Sequence, residues 1–140
     1  MNEKIHETEL WVIKGDHDLG TARITFKYIP EFLDTVTFHC QQAVEKYLKA
    51  YLIYLNATFR YTHDLIFLLD LICESDTDFK RFYHEVAEIQ GYAVEVRYPN
   101  ETIYLTHEKV INALQIASEI RAFVLNKMNL TIESHPIFSD

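Results

Sequence analysis

An arginine, a tyrosine and a proline stand together at Arg97-Tyr98-Pro99, and His107-Glu108 follow within one short stretch. An arginine beside a helix start is well placed to hold a phosphate, because its planar cation works together with the free amides of the helix. A nearby histidine adds a general acid or base that works near neutral pH. The plain alternative is that Arg97 pairs with one of the carboxylates of this acidic chain. A second group is HCQQAVEKYLKA, His39 to Ala50, where Gln42, Glu45, Lys46 and Lys49 fall within two helical turns on roughly one side. Such a row is either a solvated face carrying local charge pairs or a polar groove against another helix or subunit. A third group, Thr62-His63-Asp64-Leu65, has the residue types of a helix cap, with Thr62 as the cap and His63 partly buried.

Other chemistries have no support. The chain has no Gly-rich phosphate loop, GxSxG, HExxH or CxxC. Its seven histidines, at 6, 17, 39, 63, 84, 107 and 135, form no pair three or four apart, so no metal site is expected. Cys40 and Cys73 lie 33 residues apart and read as reduced thiols. Asn56, Asn100 and Asn129 open N-x-T triplets, which matter only in a secreted chain. No apolar run approaches the length of a membrane span, and the first residues lack a signal-peptide core, so a cytoplasmic protein without a membrane partner is expected.

The elements that must position these residues are helices. The apolar residues recur at three and four almost throughout, and only three glycines and three prolines interrupt them. The spacing predicts a first helix over about Glu7 to Tyr28, with Trp11, Leu19, Ala22 and Phe26 near one stripe. Gly15 falls on that stripe and offers close approach to another helix; Pro30 ends the segment. A second helix runs from about Glu31 to Asn56, where a left-handed stop is expected. A short helix follows Thr62 and reaches Cys73, and a fourth opens at Asp76 or Thr77 and closes at Gly91. The stretch Gly91 to Thr106 reads as a connecting loop. The last helix starts between Glu101 and Thr106 and runs to about Met128, followed by a tail over 129–140. The 140 residues, 49% apolar and 24% charged, form a single domain of the all-α class, an antiparallel up-and-down bundle of four or five helices. The second and last helices are expected to supply most of its core. The net charge of −8 lacks the basic footprint of a non-specific nucleic-acid binder.

Taken together and in this order, Trp11, Asp18-Leu19, FHCQQAVEKYLKAYLIYL from Phe38, THDL from Thr62 and VRYP from Val96 resemble a HEPN domain (higher eukaryotes and prokaryotes nucleotide-binding) over about residues 9–128. The resemblance implies a helical bundle that is commonly a homodimer. It also implies one of two activities. Some members are metal-independent ribonucleases, often toxins, that carry an Arg and then a His four to six residues on. Others bind a nucleotide or accompany a nucleotidyltransferase. Here His107 follows Arg97 with nine residues between, and the pairs beginning at Arg60, Arg81 and Arg121 do not have the spacing either. The RYP form looks more like the non-nuclease branch. The expectation is therefore a non-catalytic, cofactor-free module in which Arg97 grips phosphate, Tyr98 stacks on a base, and His39, Gln42 and Lys46 line the facing helix. The alternatives are a ribonuclease acting through Arg97 and His107 on RNA, and a purely structural dimer.

Overall fold

The computed structural model describes residues 2–97 and 105–133, with the side chains of 3–92 and 105–133. It contains α1 (Asn2–Tyr28), α2 (Leu33–Tyr54), α3 (Leu65–Ser75), α4 (Tyr83–Arg97) and α5 (His107–Met128), with a 3-10 helix at Thr77–Phe82 and no strand among the described residues. The chain is all-α, as the apolar spacing requires.

Tyr28 closes α1 just before Ile29-Pro30, since proline has no amide hydrogen to donate. Asn56 and Asn129 take left-handed geometry after α2 and α5, with φ of 60° and 52°. Asparagine tolerates that conformation better than most residues do.

Several boundaries differ from the sequence expectation. The first helix begins at Asn2, not Glu7. Thr62 is not the cap of α3. Asp64 is, with extended backbone and a side chain that accepts from the Phe67 amide. Thr62 sits two residues earlier, and its hydroxyl accepts from the Asp64 amide. The expected fourth helix is two pieces, a 3-10 helix capped by Asp76 and then α4. Gly91 does not stop α4. A glycine ends a helix when it turns left-handed, and no described glycine has positive φ. Ile89 and Tyr92 are buried on either side of it, which holds the helix together. Residues 91–97, expected as loop, are therefore helical.

Contacts fix the topology. Trp11 and Asp16 of α1 meet Lys49 and Tyr47 of α2, and Asp16 and Phe26 meet Arg121 and His107 of α5. Phe82, at the end of the 3-10 helix that leads into α4, meets Phe123 of α5, and Tyr92 of α4 meets Asn112. In each pair the numbers rise on one helix as they fall on the other, so α1, α2, α4 and α5 alternate up and down. The short α3 is the exception. The link 55–64 climbs back along α2 until His63 reaches Glu45, and α3 then descends until Asp76 reaches Tyr51.

The centre of the bundle is α2, which packs on every other α-helix. Together with α5 it contributes the largest sets of buried residues. A Cβ on Gly15 would lie 2.6 Å from Cε1 of Tyr47, so α1 and α2 touch where position 15 has no side chain. Phe79, Phe82 and Phe123 close the far end edge to face. Cys40 is buried, and that burial pushes its thiol up to about 12. Beside the start of α1, a shallow cavity is lined by Lys4, Ile5, Thr8, Tyr54, Met128 and Leu130.

Two outcomes follow. Gly15→Ala should cost about 1–3 kcal/mol by overpacking against Tyr47. Gly91→Ala, which meets nothing within 4 Å, should gain roughly 0.5–1 kcal/mol through helix propensity. Urea unfolding of the two variants tests the contrast. The second outcome concerns acid. Burial alone would raise Asp76, but hydrogen bonds from Tyr51, Lys127 and the Asp78 amide outweigh it and hold the carboxyl below its ordinary value. A carboxyl lowered by folding stabilises above its unfolded pKa and loses that contribution as pH falls through the folded one. Stability should thus decline as pH falls below about 4, and Asp76→Asn should flatten that limb of a pH–stability curve.

Candidate functional site

Two polar regions emerge, one on the α1–α2 seam and one between α4 and α5. The seam carries the His39–Lys49 residues. His39, Gln42 and Lys46 share one row of α2, at steps of three and four. Asp18 of α1 reaches both ends of that row, accepting from His39 Nδ1 at 2.9 Å and from Lys46 Nζ. Gln42 is half-buried between them.

The adjacent row is buried. Glu45 and Lys49 are only 3% and 4% exposed, and they pair at 2.9 Å. The solvated-face reading is therefore wrong for these two residues. The other helix α1 and the link 55–64 cover the row. Lys49 lies 5.6 Å from the Trp11 ring centroid and 5.5 Å from that of Tyr61. An ammonium between two aromatic rings recovers part of its lost hydration. The second oxygen of Glu45 accepts from His63 Nδ1 at 2.9 Å. Its Nε2 lies 3.0 Å from the Tyr61 hydroxyl. His63 is hydrogen-bonded as expected but exposed, not partly buried. The seam is thus charge-compensated: each cationic group on it already has a carboxylate.

On the inner side of α1, Asp16 takes a bidentate contact from Arg121 at 2.7 and 2.9 Å and the Tyr47 hydroxyl at 2.6 Å. Burial and the neighbouring Asp16 charge push the Tyr47 phenol far up, so it stays a donor. The bond to Asp16 raises Arg121 in turn. These groups tie α1, α2 and α5 together and face no cavity among those described.

The second region is a groove of about 900 Å³ between α4 and α5. Glu88 and Tyr92 line one wall, Asn112 and Gln115 the other, and Thr106, Glu108 and Lys109 the end where α5 begins. Asn112 Nδ2 donates to the Tyr92 hydroxyl at 3.1 Å and to Glu88 at 3.3 Å. Thr106 caps α5 by accepting from the Lys109 amide. The pairings Phe82–Phe123 and Tyr92–Asn112, continued along both helices, bring positions 97 and 107 to one level at this end.

The expected site residues separate accordingly. Arg97 is the final residue of α4; its side chain and all of Tyr98 lie outside the described residues. His107 opens α5, exposed, with its ring 5.9 Å from Phe26 on the α1 side, and it is not part of the groove lining. His39, Gln42 and Lys46 do not line the groove either; they belong to the seam. One groove holding all five expected nucleotide contacts is not what the described residues form. Tyr92 of α4 and Lys109 and Asn112 of α5 do share a groove, and nothing in the sequence spacing between the two helices marks them.

A sequence model of the HEPN domain matches residues 8–128. No curated protein and no solved structure matches the chain.

The seam yields its own test. Glu45→Ala strands the buried Lys49 charge and should cost about 3–5 kcal/mol. His63→Ala leaves the Glu45–Lys49 pair intact and should cost about 1 kcal/mol. Equal losses in chemical denaturation would contradict this ordering.

Proposed function

This chain belongs to the HEPN domain family, and from that premise we propose that it is a non-catalytic module that binds a nucleotide as a homodimer and serves a nucleotidyltransferase partner. The observation that supports the reading is the α4–α5 groove, which opens on the N-terminal turn of α5. A helix start favours anions because its first amides lack partners and its dipole is positive there. Lys109 lines that end of the groove, and Arg97 ends the neighbouring helix at the same level.

A nucleotide fits the groove chemically from one end to the other. Its phosphates would lie against the turn Thr106–Lys109, with Arg97 as the bidentate grip. The carboxylate of Glu88 suits the ribose hydroxyls, as an acceptor without donors. Tyr92 and Asn112 offer a ring and an amide for the base. The seam residues take a different part: His39 and Lys46, bonded to Asp18 on either side of Gln42, set the angle of α1 on α2. The nucleotidyltransferase follows from the family expectation, as an enzyme whose own substrate is a nucleoside triphosphate.

Isothermal titration with the four nucleoside triphosphates tests the proposal. Heat is expected for the folded wild type, with affinity reduced roughly tenfold in Arg97→Ala and in Lys109→Ala, about 1.4 kcal/mol each. Asn112→Ala should alter the preference among bases more than the affinity for phosphate. No heat with any triphosphate overturns the reading. Metal-free cleavage of labelled RNA, lost in both Arg97→Ala and His107→Ala, would replace it with the ribonuclease.

A further inference from the structure

Tyr47, Tyr51 and Tyr83 each donate to a carboxylate, from Asp16, Asp76 and Asp70. A phenol that faces a negative charge resists losing its proton. All three are pushed up, Tyr47 and Tyr51 first by burial and Tyr83 first by its bond to Asp70. Tyr61 differs. Its hydroxyl faces a histidine, with His63 Nε2 at 3.0 Å. It is 83% exposed, so its hydroxyl is open to solvent reagents. The ring is nonetheless held in place. It stands edge-on to the His63 ring, with centroids 5.1 Å apart, and Lys49 Nζ lies 5.5 Å from its centroid.

Behind His63 stands Glu45, which is 3% exposed. One of its oxygens accepts from His63 Nδ1 and the other from Lys49, both at 2.9 Å. A carboxylate fixed through both oxygens holds the imidazole in one orientation, with Nε2 toward the phenol. A nucleophile, a base within hydrogen-bond reach and a third group that orients the base are the parts of nucleophilic catalysis.

We propose that Tyr61 is a covalent acceptor of acyl groups from activated carboxylic esters, with His63 as its general base and Glu45 positioning the base. The phenolic oxygen bonds to the carbonyl carbon. Its proton passes to Nε2, in the form of the ring that has that nitrogen free. The tetrahedral carbon then breaks its bond to the leaving oxygen, which departs with the electron pair and takes the proton from Nε2. The products are the tyrosyl ester and the free alcohol. Phosphoryl transfer fits less well, because it needs cations on the equatorial oxygens. Lys49 is buried and already held by Glu45, and Arg60 lies against the Phe67 ring. Tyr61 lines none of the cavities described above, so it is a surface acceptor and is independent of the α4–α5 groove.

The probe is p-nitrophenyl acetate, with acetylated residues located by mass spectrometry of peptides. Tyr28 is the internal control: it is 69% exposed, with Lys27 beside its ring and no histidine at its hydroxyl among the described residues. Tyr61 should gain acetyl at least about tenfold faster than Tyr28. His63→Gln should bring Tyr61 down to the rate of Tyr28 and leave Tyr28 unchanged. The wild-type rate at Tyr61 should rise with pH well below the range of an ordinary phenol, about 10. Glu45→Gln should move that rise to lower pH, because a carboxylate favours the protonated form of the imidazole beside it. Merely holding the link 55–64 in place would not move the profile. Equal rates at Tyr61 and Tyr28 overturn the proposal, and so does a His63→Gln protein that acetylates Tyr61 as fast as the wild type. An unmoved profile in Glu45→Gln overturns the part given to Glu45. The wild-type ratio of Tyr61 to Tyr28 decides the proposal whatever Glu45→Gln does to folding.

Discussion

Tyr47 occupies the space that a side chain at position 15 would take, and the rest of the bundle is arranged around that contact. It sets the distance between α1 and α2. At that distance Asp16 reaches the Tyr47 hydroxyl from one side of α1, and Asp18 reaches His39 and Lys46 from another. Trp11 then covers Lys49. A methyl group at residue 15 would push the helices apart and lengthen all of these bonds together. Hydrogen bonds and ion pairs weaken steeply over such shifts, so a steric constraint governs the electrostatics here.

The polar residues inside this chain add less to stability than their number suggests, and more to uniqueness. A buried pair such as Glu45–Lys49 gives back most of its attraction in lost hydration. What it does impose is a penalty on any packing in which one member lacks the other. The Asp16–Arg121 bond acts alike on α5, which must dock in the register where the guanidinium meets its carboxylate. His63 extends the rule to the link 55–64, whose path back along α2 is fixed by one bond to Glu45. Apolar stripes alone would permit neighbouring registers one helical turn away.

Much of the fold was legible because helical stripes are local. The steps of three and four in α2 and α5, the small residue at Gly15 and the stop at Asn56 could all be read from the chain. Gly91 misled, since its local cost to a helix is smaller than the gain from burying Ile89 and Tyr92 beside it. Thr62 misled for a different reason. Both Thr62 and Asp64 have capping side chains, and only the backbone's path decides which one stands at the helix start. The site was legible in composition but not in grouping. His39, Gln42 and Lys46 could be placed on one row, but the sequence does not show that Asp18 holds both ends of it. Tyr92 and Asn112 lie 20 residues apart and meet only because α4 and α5 pack antiparallel.

The cavity at the start of α1 shows that Lys4 and Thr8 lie beside Met128 and Leu130. The folded unit is therefore entered and left at nearly one spot. A longer polypeptide could carry it as a pendant, spliced into a surface loop, with little strain on either side of the join. The start of the first helix and the end of the last meet at one corner of the bundle, whatever the groove binds.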